Sequence, residues 1–118
     1  MDEESIRQQL RYRSLEAFRI VYETGSVTRA AERLDLSQPA VSQLIARIER
    51  SFGFSLFDRG LGRRLEPTAA ARALHADVCR TLEAMARMEA TVMTLAAPRS
   101  VPDIGGTYRG DRVLMSER

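Results

Sequence analysis

Apolar residues recur at steps of three and four along the first half of the chain, which is the spacing of one helix face. The first stripe begins at Tyr12 and stops before Gly25, a residue type favoured just past a helix end. The next stripe follows a capping residue, Ser26 or Thr28, and ends before Asp35. The pattern therefore predicts two helices, of which the second is short.

A third helix is the clearest element of the sequence. Ser37 is a suitable N-cap, Pro39 lies in the first turn, and Gly53 follows the last apolar position. Its apolar positions are Val41, Leu44, Ile45, Ile48 and Phe52. Only about three residues, 35–37, separate this helix from the preceding one, too few for the two to lie antiparallel. A steep crossing of the helix-turn-helix type is predicted.

Residues 54–67 change character and predict a small hairpin, which we call the wing. Two short runs, 54–57 and 65–67, flank a loop that contains two glycines. The loop also carries Arg59, Arg63 and Arg64. The tip of the predicted wing is therefore basic.

A long final helix is predicted from the cap Thr68 to residue 96. Its apolar stripe is longer than a small core can cover, so the helix needs a partner, and we expect it to pair two chains. The residues expected to form this contact are Leu74, Val78, Leu82, Met85 and Val92.

The predicted fold is mainly α: a winged helix-turn-helix with three helices and a two-stranded wing, followed by a long dimerisation helix. The expected divisions are a winged helix-turn-helix domain over 1–67, a dimerisation helix over 68–96 and a flexible tail over 97–118, where glycine and proline interrupt any periodicity. Residues 1–10 are polar and acidic, and we expect a loose lead-in that frays.

Composition narrows the function class without fixing it. Hydrophobic residues make up 44% and charged residues 29%, which is ordinary for a soluble protein. The net charge is +2, but residues 11–72 carry eleven arginines against seven acids. This local excess permits nucleic-acid binding and does not establish it. The single cysteine excludes an internal disulfide framework, and no apolar run suggests a signal peptide or a membrane span, so a cytoplasmic location is expected.

The polar face of the third helix carries residue types that recognise bases. The expected base-reading residues are Gln38, Pro39, Ser42, Gln43 and Arg47. Glutamine can bond adenine, arginine can bond guanine, and proline offers an apolar contact to a thymine methyl. The same residues could form an ordinary solvated face, but the short turn, the cap and the basic wing together favour DNA binding.

A long stretch of the sequence resembles a known family. SLEAFRIVYETGSVTRAAERLDLSQPAVSQLIARIERSFGFSLFDR, from Ser14 to Arg59, and LEPTAAA, from Leu65 to Ala71, resemble the N-terminal domain of LysR-type bacterial transcriptional regulators. The resemblance implies a recognition helix in the major groove, a wing along the minor groove and a linker helix that pairs two subunits. It implies base reading by the segment from Gln38 to Gln43.

The resemblance also assigns residues to the DNA backbone and the wing. Thr28 and Arg29 match positions that approach phosphates, and Arg59, Arg63 and Arg64 match the basic wing, where a narrow minor groove attracts arginine. Ser37, the expected cap, is placed with the backbone-contacting residues. Members of the family usually continue into a larger effector-binding domain, so we expect no small-molecule effector site within this chain.

Metal, cofactor and catalytic sites are not expected. His75 and Cys79 lie four apart on a helix, but no further cysteine or histidine exists to complete a tetrahedral site. We expect Cys79 to be a small, partly buried apolar residue and His75 to be exposed. No catalytic constellation suggests an enzyme.

The function expected is a dimeric, sequence-specific regulator that binds double-stranded DNA at an imperfect palindrome, as a homodimer or a higher assembly, with no membrane partner. An alternative is a short competitor or modulator that pairs with a full-length regulator through its long helix. The two differ in whether the chain alone forms a homodimer and binds DNA.

Overall fold

The computed structural model describes residues 2–59 and 64–97, and within them the predicted winged helix-turn-helix is confirmed. In chain order the described elements are α1 (Glu3–Gln9), α2 (Tyr12–Thr24), α3 (Val27–Leu34), α4 (Gln38–Phe52), β1 (Phe57–Asp58), β2 (Glu66–Pro67) and α5 (Ala69–Ala96). The two strands of the wing are antiparallel, with Phe57 opposite Pro67.

The helix ends follow from local side-chain chemistry. The Ser26 hydroxyl accepts the N–H of Arg29 at 3.0 Å, and the Ser37 hydroxyl accepts the N–H of Ala40 at 3.1 Å. Each cap satisfies a donor that has no partner within the helix. α2 ends at Gly25 with a φ of 68°, a left-handed conformation that glycine adopts without steric cost.

The turn between α3 and α4 is held by hydrogen bonds on both sides. Asp35 adopts a left-handed φ of 57°, and the N–H of Leu36 donates to the carbonyl of Ala31 at 2.9 Å. The Arg13 guanidinium donates to the carbonyl of Leu34 at 2.8 Å. These bonds satisfy carbonyls at the end of α3 and fix the short turn of the helix-turn-helix.

Two clusters of buried side chains hold the helices together. The first joins α2, α3 and α4. It contains Ala17, Ile20, Val21, Ala30, Ala31, Leu34, Val41 and Ile45. The second joins α2, α4, the base of the wing and the first part of α5. It contains Leu15, Phe18, Ile48, Leu56, Ala71, Val78 and Leu82. The core of the winged domain therefore extends into the long helix.

The first turns of α5 bury residues for which a contact between two chains is predicted. Val78 is 8% exposed and Leu82 is 4% exposed, and both pack in the core of their own chain. Leu74 is partly buried against the same cluster. The physical reason is that the first turns of the apolar stripe face α2 and α4. The contacts of the chain divide between Ala86 and Arg87, within α5.

Beyond that division the apolar residues of α5 lie on the surface. Met88 is 67% exposed and Val92 is 53% exposed, while Met85 borders the division at 36%. Met85 and Val92 thus remain candidates for the contact between chains. The predicted tail, apart from residue 97, lies outside the described residues. No described helix has the length and apolar character needed to cross a membrane.

The N-terminal residues form a helix rather than a loose lead-in, which corrects the prediction. The Asp2 carboxylate caps α1 by accepting the N–H of Ser5 at 2.7 Å. α1 packs against α4, where the hydroxyls of Ser5 and Ser51 lie 3.0 Å apart. Ile6 and Leu10 line an apolar cleft of about 600 Å³. The stability of this short helix comes from its cap and from tertiary packing, which the polar sequence does not reveal.

Candidate nucleic-acid interface

The N-terminal half of α4 presents a solvent-facing surface opposite its buried side. Val41, Ile45 and Ile48 are buried, so the helix is fixed in rotation about its axis. The exposed side chains include all five predicted base-reading residues. They are Gln38, Pro39, Ser42, Gln43 and Arg47. The structure therefore brings these residues together on one accessible face, as residues at steps of three and four require.

The N-terminus of α3 and the wing meet α4 around a shared cleft. The cleft has a volume of about 370 Å³, and Thr28, Gln38, Arg59 and Arg64 line it. Thr28 comes from the first turn of α3, and the two arginines come from the wing. Three of the predicted backbone-contacting residues, Thr28, Arg59 and Arg64, thus lie beside Gln38, the first of the predicted base-reading residues. Arg63 lies outside the described residues.

A second cleft continues along α4 toward the base of the wing. It has a volume of about 330 Å³ and is lined by Ser42 and Ala46 of α4 together with Arg59. Arg59 borders both clefts. Arg59 therefore lies beside the exposed face of α4.

The wing is attached to the helix-turn-helix at Gly25. The N–H of Leu65 donates to the carbonyl of Gly25 at 2.9 Å. A Cβ atom at Gly25 would lie 2.9 Å from Nε of Arg64 and 3.1 Å from the carbonyl oxygen of Leu65. Glycine is therefore required twice here, for its left-handed φ and for the close approach of the wing. The sequence indicated only the first of these roles.

Glu49 anchors the wing to α4, a role that sequence reasoning missed. Its Oε2 accepts the N–H of Leu56 at 2.8 Å and the N–H of Phe57 at 3.4 Å. The partners are backbone groups seven and eight residues further along the chain. Backbone partners leave no residue-type signal, and only the half-buried position of a carboxylate on the inner side of α4 could have indicated the role.

Thr68 fastens the other end of the wing to α5. Its hydroxyl donates to the carbonyl of Ser55 at 2.8 Å, and its N–H donates to the carbonyl of Leu56 at 2.9 Å. The same hydroxyl accepts the N–H of Ala71 at 3.2 Å, which confirms the predicted cap. The wing is thus held by α2, α4 and α5, so its arginines are presented from a fixed base.

Four arginines of this surface take part in none of the ion pairs found within residues 2–59 and 64–97. They are Arg29, Arg47, Arg59 and Arg64, and all four are exposed. Elsewhere Arg7, Arg19 and Arg80 pair with carboxylates. Guanidinium groups without an acidic partner keep their donors available for phosphates, which they bind through paired N–H groups.

Comparison with known proteins identifies the family of the chain. Residues 12–72 match the family described as bacterial regulatory helix-turn-helix protein, lysR family. The chain belongs to the LysR family. The match runs from the first residue of α2 into the first turn of α5. It therefore covers the helix-turn-helix, the wing and the surface described above.

Relatives agree with this assignment. The HTH-type transcriptional regulator DgcR of Pseudoalteromonas is 40% identical over 82 residues, which is 70% of this chain and 28% of DgcR. The transcriptional activator protein LysR of Escherichia coli is 39% identical over 83 residues, which is 70% of this chain and 26% of LysR. This LysR-family chain thus spans between a quarter and a third of the length of these two relatives.

A solved structure shows the same architecture. The complex of the CbnR DNA-binding domain with DNA has a TM-score of 0.65 and 33% identity, and the match covers 75% of this chain and 100% of the other. The comparisons support a DNA-binding domain of a LysR-type transcriptional regulator. They give no support to the alternative of a short competitor that pairs with a full-length regulator.

Proposed function

We propose that this LysR-family chain binds specific sites in double-stranded DNA, with α4 in the major groove and the wing along the minor groove, and thereby regulates transcription. The observation that carries the proposal is the continuous exposed surface of α4, the start of α3 and the wing. On this surface base-recognising side chains adjoin arginines that have no acidic partner among the described residues. The CbnR structure, which contains DNA, supports the same use of the fold.

Base recognition is assigned to the exposed face of α4. Gln43 has an amide that can bond N6 and N7 of adenine together, and Arg47 has a guanidinium that can bond O6 and N7 of guanine. Pro39 offers an apolar surface to a thymine methyl group. Ser42 and Ala46 are small, which allows the helix axis to approach the bases closely.

Backbone contacts are assigned to the residues around the two clefts. Thr28 and Arg29 lie in the first turn of α3, where peptide N–H groups and the helix dipole favour a phosphate. Arg59 and Arg64 lie on the wing, and a narrow minor groove attracts arginine. Ser37 holds the first turn of α4 in place through its cap, and we include it among the backbone-contacting residues.

Two copies of the chain are proposed to pair through the second half of α5. Its apolar residues, among them Met88, Val92, Met93 and Leu95, are exposed in the single chain. An apolar stripe on a long helix is stabilised when a second helix covers it. A two-fold pair would present two recognition helices, so the operator is proposed to be an imperfect palindrome with half-sites one helical turn or a multiple apart.

Selection of preferred sites from random duplex DNA, followed by binding measurements with Gln43→Ala, tests the proposal. The variant is expected to lose discrimination at one position of each half-site by about 1–3 kcal/mol, while binding to scrambled duplex stays unchanged. Gln8→Ala removes an exposed glutamine from α1 and is the control, for which wild-type preference is expected. An equal loss of affinity on selected and scrambled duplexes contradicts base reading by Gln43.

Two further properties follow from the proposed function. The relatives of the chain are transcriptional regulators, so we expect no enzymatic activity. A bacterial regulator reaches chromosomal DNA in the cytoplasm, so we expect that location. Analytical ultracentrifugation of the chain, alone and with an operator duplex, distinguishes a homodimer from a higher assembly.

A further inference from the structure

Three side chains of types that commonly bind metal ions lie close together where the end of α2 packs beside α5. Nε2 of His75 lies 3.4 Å from Sγ of Cys79 and 3.8 Å from Oε2 of Glu23. The three ligand atoms all lie within 4.8 Å of one another. We propose that Glu23, His75 and Cys79 form a site for a thiolate-binding divalent cation, for which Zn²⁺ is the best match.

The fold supplies the ligand that the sequence lacked. His75 and Cys79 are one turn apart on α5, so their side chains share a face of the helix. The sequence offers no further cysteine or histidine, which is why no metal site was expected. Glu23 lies in the last turn of α2, 52 positions before His75 in the chain, and brings a carboxylate to the pair. The expectation of an exposed His75 is wrong as well, because its side chain is partly buried and lies against Glu23 and Cys79.

Two of the three distances between the ligand atoms are close to those of tetrahedral zinc. Zn²⁺ binds cysteine sulfur at about 2.3 Å and histidine nitrogen at about 2.0 Å, which places the two atoms about 3.5 Å apart in a tetrahedron. The observed separation of 3.4 Å agrees. Nitrogen and carboxylate oxygen in the same geometry lie about 3.4 Å apart. The observed separation is 3.8 Å, and the carboxylate oxygen lies within 4.8 Å of Sγ of Cys79, so binding requires the half-exposed Glu23 side chain to rotate toward the other two ligands.

The imidazole is already held in position. Its ring stacks on Tyr22, with centroids 3.9 Å apart and planes inclined by 11°. A ring fixed in this way loses little freedom when it binds a cation, which favours affinity. The competing partner of Glu23 is the Arg19 guanidinium at 4.0 Å. That pair is partly exposed and its two groups lie at the limit of ion-pair distance, so it is weak and a cation can displace it.

The charges and the open coordination position also favour a divalent cation. A thiolate and a carboxylate together balance two positive charges, and the neutral imidazole adds none. Three protein ligands leave a fourth tetrahedral position for water. The half-exposed Glu23 side chain gives solvent access to this position. A bound cation would fasten α5 to α2 within the unit that ends at Ala86.

Titration of the tag-free, phosphine-reduced chain with Co²⁺ alone tests the site, because Co²⁺ reports thiolate ligation by a charge-transfer band and tetrahedral geometry by its visible bands. Wild-type chain is expected to show both, and Zn²⁺ is expected to abolish them by displacement. Cys79→Ser should remove the charge-transfer band. His75→Phe, which keeps a ring for stacking on Tyr22, should lower the affinity for Co²⁺ at least about a hundredfold, as loss of a direct ligand exceeds the loss caused by an outer-shell partner.

Glu23→Gln and a control complete the experiment. Glu23→Gln should lower the affinity for Co²⁺ and change the visible bands while retaining the charge-transfer band. Glu83→Gln removes an exposed carboxylate from α5, the helix that carries His75 and Cys79, and should bind Co²⁺ as wild type does. The helical circular dichroism of every variant shows whether it is folded. Absence of a charge-transfer band in the folded wild type overturns the proposal. Wild-type affinity in folded His75→Phe and Glu23→Gln also overturns it, since Cys79 would then bind the ion alone.

Discussion

Arg59→Ala should reduce the salt dependence of DNA binding by an amount that also reports the number of chains on the DNA. Arg59 is exposed, borders both clefts beside α4 and has no acidic partner among the described residues. Each neutralised phosphate contributes about 0.9 to the slope of log affinity against log salt concentration. Two chains on one operator therefore lose about 1.8 from the slope, whereas a single chain loses about 0.9.

The slope translates into a measurable ratio. Between about 50 and 200 mM salt, a slope change of about 1.8 reduces the affinity advantage of wild type over Arg59→Ala by about twelvefold, and a change of about 0.9 reduces it by about 3.5-fold. Fluorescence anisotropy of a labelled duplex over this salt range measures the ratio. Arg80→Ala is the control, because Arg80 is an exposed arginine of α5 that pairs with Asp77.

Arg80→Ala should leave the slope unchanged. The loss of slope in Arg59→Ala should be similar on selected and scrambled duplexes, since contacts to phosphates carry no sequence information. Parallel salt plots for wild type and Arg59→Ala refute the assignment of Arg59 to the DNA backbone. A loss confined to the selected duplex refutes it in a different way, since Arg59 would then read bases.

Three further substitutions test how the surface is held. Leu56→Ala should lower the free energy of unfolding by about 2–5 kcal/mol, because Leu56 is fully buried beneath the wing; a loss below about 1 kcal/mol in chemical denaturation contradicts this. Gly25→Ala should lower the free energy of unfolding by about 1–3 kcal/mol, because the residue has a left-handed φ and lies against Arg64, and it should weaken DNA binding. An unchanged melting temperature and an unchanged affinity for DNA contradict these two expectations. Ser37→Ala should lower the free energy of unfolding by about 0.5–2 kcal/mol through loss of the cap on α4; thermal unfolding identical to that of wild type contradicts this.

Features that depend on neighbouring residues were predictable from the sequence. The cap Ser37 and the terminal glycines Gly25 and Gly53 fix helix ends through bonds within one turn, and the structure confirms them. For α3 the sequence allowed Ser26 or Thr28 as the cap, and the structure shows Ser26. The exposed face of α4 also followed from its periodicity. These features are local, so residue type and spacing contain the information that specifies them.

Features that depend on packing partners were not predictable in the same way. The stripe of α5 shows that an apolar face exists, but not which surface covers it, and Val78 and Leu82 proved to face their own chain. α1 lacks a long stripe and depends on α4. Glu49 binds backbone groups, and Glu23 reaches His75 only through the packing of α2 beside α5. Each of these contacts is set by tertiary structure.

Competition binding at physiological salt tests the central claim most directly. A duplex obtained by selection with the purified chain is compared with a scrambled duplex of equal length and composition. Sequence-specific recognition by α4 predicts that the selected duplex binds about a thousandfold more tightly or more. Equal affinity for the two duplexes contradicts it.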